Sequence, residues 1–120
     1  MATAAPAPIS RNVLVHINFD HKTREIKVDP DTFWVSEGKC EEVVWYCTST
    51  DPSNPYPDFT VQFKDRSPFY ETRFSSKRRN GDLMYSGLVR RDVTPGPQTY
   101  PYSVTVLGTA TEDPDGGVKP

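Results

Sequence analysis

Between Glu25 and Tyr46 the chain reads EIKVDPDTFWVSEGKCEEVVWY, and this stretch limits the fold more than any other. Ile26 and Val28 alternate with charged neighbours, Asp29-Pro30-Asp31 breaks the run, and Phe33 and Val35 resume it. Glu37-Gly38-Lys39 then turns the chain into Val43-Val44-Trp45-Tyr46. Apolar residues two apart share one face of a strand, and the residue before a proline is pushed out of the helical region. The pattern predicts three short strands joined by two turns, which cannot hide their apolar faces unless other strands cover them.

The flanking segments supply those strands. Val13, Val15, Ile17 and Phe19 alternate with Leu14, His16, Asn18 and Asp20, a first strand with its odd positions inward, closed by a turn from Asp20 to Thr23. The strand from Glu41 to Thr48 puts Val43, Trp45 and Cys47 on one face and Val44 and Tyr46 on the other, as expected of a central strand. Phe59, Val61 and Phe63 make another, Leu83 to Val89 a short one, and Tyr100, Tyr102, Val104 and Val106 the last before Gly108. Asp51 to Asp58 holds three prolines and reads as an ordered loop, while Asp65 to Gly81 has no regular period.

Twelve prolines and seven glycines in 120 residues, with no apolar stripe at helical spacing, leave almost no room for helix. The expected fold is all-β: a two-layer Greek-key β-sandwich of about seven strands. Hydrophobic content is only 35%, but 12% of the chain is aromatic, so a few bulky rings can fill the core. The domain is expected over 11–108, after a flexible Ala/Pro-rich tail (1–10) and before a polar C-terminal tail (109–120).

Charge is unevenly spread. From Lys64 to Arg91 there are eight basic and three acidic residues, a balance of +5, whereas the rest of the chain has six basic and thirteen acidic, a balance of −7. The molecule is electrically two-sided in sequence. Cys40 and Cys47, seven residues apart in extended chain, would stand about 20 Å from each other, so free thiols are expected. Free thiols suit a reducing compartment. With no signal-like N-terminus and no apolar run of membrane length, a cytoplasmic protein with no membrane association is expected.

A family resemblance enters here. Ile26-Lys27-Val28-Asp29-Pro30-Asp31, then Trp34-Val35-Ser36-Glu37-Gly38, then Val43-Val44-Trp45, is similar to the opening of cupredoxins. Pro57 to Phe63 and Tyr100 to Val106 look like later strands of that family, so the resemblance spans 11–108. The immunoglobulin-like sandwich is the alternative, but there a Trp lies between cysteines on two facing strands, and here Trp45 shares one element with Cys47. In cupredoxins copper is held by a His near the start of the strand corresponding to Phe59 and by Cys, His and usually Met around the last strand. Here Asp58 or Phe59 stands at the first position, and 94–108 contains no Cys, His or Met. The resemblance implies the framework without copper, and no cofactor is expected.

Other chemistry is thinly represented. His16, His21, Cys40, Cys47 and Met84 are the donors an atypical metal or redox site would have to use, and His16 and His21 are expected to diverge. No GxSxG, HExxH or phosphate-binding glycine loop occurs, so no enzyme is expected. The strongest cluster is basic: Arg73, Lys77, Arg78, Arg79, Arg90 and Arg91, with Phe69, Tyr70, Phe74 and Tyr85 among them. The sequence therefore points to a binding or self-association module meeting a protein partner or another copy of itself. A metal or redox protein and a single-stranded nucleic-acid binder are the alternatives, the latter opposed by the acidic remainder.

Overall fold

In a computed structural model, residues 12–76, 83–111 and 114–120 are described. The chain is all-β among these residues, with ten strands in two mixed sheets packed as a sandwich. The strands are β1 (Asn12–Asp20), β2 (Glu25–Asp29), β3 (Thr32–Ser36), β4 (Glu42–Ser49), β5 (Phe59–Phe63), β6 (Arg73–Ser75), β7 (Met84–Tyr85), β8 (Thr99–Val106), β9 (Thr109–Ala110) and β10 (Asp115–Lys119). One sheet runs β2-β1-β4-β7 and the other β3-β10-β8-β5-β6, with β9 hung on β8. β1 pairs with β4, and β10 with β3, in parallel; the other ladders are antiparallel.

The bend at Asp29-Pro30-Asp31 moves the chain from the first sheet to the second. Proline cannot donate to a ladder, so β2 ends there. β3 restarts at the edge of the other layer, and the two edges lie one above the other on the same side of the sandwich. On the opposite side β7 and β6 are the edges.

The inward faces meet in an aromatic core. Val15, Ile17 and Phe19 of β1, Val43 and Trp45 of β4, Val61 of β5 and Tyr102, Val104 and Val106 of β8 are all buried. The Trp45 ring lies 5.3 Å from that of Phe74, 5.8 Å from Tyr102 and 6.1 Å from Phe33, mostly edge-on or tilted, and its Nε1 donates to Tyr102 Oη at 3.4 Å. Phe63 and Phe69 complete the cluster. Edge-to-face arrangements align ring edges with ring faces of opposite partial charge, adding to the area removed from water. Burial holds the Tyr102 phenol well above its ordinary range, offset in part by the Trp45 bond.

Two expectations are corrected. The strands number ten among the described residues, because β6, β9 and β10 are not legible in the alternation. The segment 109–120 is no polar tail: β9 caps β8, and β10 runs between β3 and β8 as an interior strand. Its Gly116 and Gly117 pair with Phe33 and Trp34, and a Cβ on them would fall 1.9 Å from Phe33 Cζ and 2.2 Å from Trp34 Cζ3. Only glycine lets those rings lie on the backbone, one on each face. Residues 1–10, expected as a tail, lie outside the described residues.

Candidate interaction surface

Both open edges on the β6/β7 side are short, three residues and two. Between them is an open hollow of about 350 Å³ lined by Glu71, Arg73, Phe74, Ser75, Leu83, Met84 and Tyr85. Period-two alternation puts Phe74 in the core and leaves Arg73 outside, where its side chain has no ion-pair partner among the described residues. Tyr85 sits opposite Val44 on β4 and is 51% exposed, and Leu83 is 50% exposed. Apolar surface, the Arg73 cation and the Glu71 carboxylate thus stand together.

The remaining basic residues fall differently. Arg90 lies 3.5 Å from Asp92, a surface pair of little energetic consequence. Its backbone N donates to Pro68 O beside the Phe69–Val89 bridge, which fastens the two loops together. Arg91 is exposed, and its backbone N donates to Tyr70 Oη at 3.4 Å. Arg66 stands 5.7 Å over the Tyr100 ring. Lys77, Arg78 and Arg79 lie outside the described residues. Of the aromatics interleaved with the basic run, Phe69 and Phe74 belong to the core, and Tyr70 and Tyr85 face solvent.

The other side of the sandwich is acidic. Glu25 and Asp29 of β2 and Asp31 of the bend are exposed, with Lys27 the one cation among them. The acidic part of the split read from the sequence lies at the β2/β3 edges, while at β6 the described residues place Arg73 with Glu71 beside it. Leu83 and Tyr85 join Arg73 through the pairing of β7 with β4, which no charge pattern in the sequence marks.

The donors suited to metal or redox chemistry are dispersed among the described residues. His16 stacks on Tyr46 at 4.6 Å with its Nε2 2.6 Å from Thr48 Oγ1, on the outer face of the first sheet. His21 is in the β1–β2 turn, its Nδ1 2.8 Å from Thr50 Oγ1. Cys40 is an exposed turn residue and Cys47 is buried on the inward face of β4; both are free thiols. Burial pushes the Cys47 thiol up to about 12. Among the described residues, no group of three or more His, Cys, Asp or Glu is placed to hold a metal ion. Asp58, at the first copper-ligand position of the cupredoxin resemblance, is a carboxylate before β5, and Leu107 and Gly108 lie beside it.

Two turns near His21 are built by carboxylates. Asp20 Oδ1 accepts from Thr23 N at 3.3 Å and Lys22 N at 3.0 Å, bonds that hold its pKa below the ordinary carboxylate range. Asp51 accepts from Ser53 Oγ at 2.7 Å and Ser53 N at 2.9 Å, with the same effect. Both are accounted for as turn formers.

No helix among the described residues is long and apolar enough to cross a membrane. The chain matches no protein-family model and no curated protein.

Proposed function

We propose that the chain is a non-catalytic binding or assembly module on a copper-free, cupredoxin-like sandwich, joining through its β6/β7 side to an acidic surface. The framework reading draws support from the crossing of the chain between layers at Pro30 and from the two parallel pairs closing the sheets. One observation carries the functional reading: Arg73, without an ion-pair partner among the described residues, stands with exposed Leu83 and Tyr85, and with Glu71, between the edges of β6 and β7. The acidic partner surface exists on the chain itself, at Glu25, Asp29 and Asp31 on the opposite side. Association of the basic side of one copy with the acidic side of the next is head-to-tail, the geometry that builds rings or filaments. A second protein presenting the same acidic character would dock in the same way.

Charge-driven contacts of this kind weaken as salt shortens the screening length from about 10 Å at 0.1 M to about 3 Å at 1 M. Light scattering over a concentration series at both salts tests this, with polyglutamate as a surrogate acidic partner. The wild type is expected to associate with itself or with polyglutamate at low salt and to separate at high salt. Arg73→Glu combined with Ser at Lys77, Arg78 and Arg79 should abolish the association. A chain that stays monomeric and ignores polyglutamate, or whose association is indifferent to both salt and substitution, overturns the proposal.

A further inference from the structure

The outer face of the six-stranded sheet is unlike that of the other sheet. Thr60, Ser75, Thr99, Ser103 and Thr105, with Gln62, make it a hydroxyl-rich surface of short side chains, and register places them in rows across β8, β5 and β6. Five strands at about 4.8 Å spacing give a platform about 19 Å wide. One large ring belongs to it. Trp34 is 37% exposed, and the Cβ position of Gly117 lies 2.2, 2.5 and 2.7 Å from its Cζ3, Cε3 and Cη2. Near-equal distances to three neighbouring atoms place that point above the ring, not beyond its edge. One indole face therefore lies on the β10 backbone and the other is turned to solvent.

The platform also holds a hollow of about 500 Å³ lined by Asp58, Thr60, Arg73, Thr105 and Leu107. Asp58 Oδ1, and Ser75 Oγ on the row of Thr60, are shut off from solvent without a hydrogen-bond partner among the described residues. Buried polar atoms without partners are uncommon and mark places where a donor or water is missing.

We propose that this face binds a chain of neutral pyranose sugars. A pyranose presents a C–H face that packs on the open side of an indole ring, and a periphery of hydroxyls that both donate and accept. Threonine and serine hydroxyls, the Gln62 side-chain oxygen and the Asp58 carboxylate match that periphery, the Gln62 Nε2 being engaged with Phe63 O and Thr72 O, and the rows across β8, β5 and β6 offer an extended chain successive partners. The platform meets the β6/β7 hollow at Arg73 and Ser75, whereas Trp34 on β3 lies at the opposite edge of the sheet.

Calorimetric titration of the full chain with cellohexaose and with chitohexaose tests the proposal. Saturable binding of at least one is expected, with quenching or enhancement of fluorescence reporting Trp34, because Trp45 has no exposed surface. Trp34→Ala should weaken binding about ten-fold, the scale of a lost aromatic contact, and Trp34→Phe less. Thr105→Ala, at the hollow and away from the glycine pair, should weaken it with little change in the melting temperature. Absence of saturable binding to both sugars overturns the proposal. So does undiminished affinity in folded Trp34→Ala, which would leave the ring as a cover for Gly117 alone.

Discussion

Gly116 and Gly117 are adjacent, and both are pressed by aromatic rings, yet substitution should affect them differently. Phe33 is 1% exposed and confined by Trp45 and Tyr102, so the Cβ of Gly116→Ala has nowhere to push it. A loss of about 1–3 kcal/mol is expected from such overpacking. Trp34 is partly open to solvent and can swing away, so Gly117→Ala should cost less; denaturant unfolding of the two variants makes the comparison. The cysteines differ as sharply. Cys40 should react with a thiol reagent in the native state, and Cys47, 4% exposed, only as the chain unfolds. Because folding raises the Cys47 pKa, its neutral thiol favours the native state below its ordinary value of about 8.5, and that contribution is lost progressively as pH rises towards about 12. Asp20 and Asp51 act in the other direction. Their lowered values stabilise the fold above about pH 4 and cease to do so as acid protonates them, so Asp20→Asn should flatten the acid side of a melting-temperature profile.

Among the strands, β10 has the largest consequence for so polar a sequence. It sits between β3 and β8, Glu37 N donates to Lys119 O at 2.9 Å, and the buried Ser36 Oγ donates to Pro120 O at 2.7 Å. Removing 114–120 would strip both neighbours of a ladder and uncover Phe33, so the truncated chain should lose its cooperative melting transition and bind a hydrophobic dye; a transition like that of the full chain would contradict this. The alternation in β1, β4, β5 and β8 was legible because each buries one apolar face, and the bend at Pro30 because proline interrupts a ladder. β10 was illegible for the opposite reason. Its inward and outward coverings are Phe33 and Trp34, rings contributed by another strand, and its own sequence offers only DGGVK. Of the basic run Arg73 is the member that lines the β6/β7 hollow, and the pairing of β7 with β4 brings Leu83 and Tyr85 to it, a juxtaposition that charge counting alone does not show.

At the scale of the whole molecule, two sheets enclose a core centred on Trp45, and the faces and edges left outside have distinct characters. Trp45→Ala should cost about 3–5 kcal/mol, as expected for an aromatic side chain at the centre of a packed core, whereas charge changes at the β6 edge should leave stability nearly unchanged and alter association. That separation is what a scaffold with a working surface requires. The most direct measurement is amide chemical-shift mapping over protein concentration and added polyglutamate at low salt, for which the described residues provide the map. The expected result is a set of shifts concentrated at Tyr70 to Ser75 and Leu83 to Leu88, reversed by salt, with a second set at β2 if copies join head-to-tail. Shifts confined to the outer face of the β2-β1-β4-β7 sheet around His16 and Tyr46, or shifts that salt does not reverse, would contradict it.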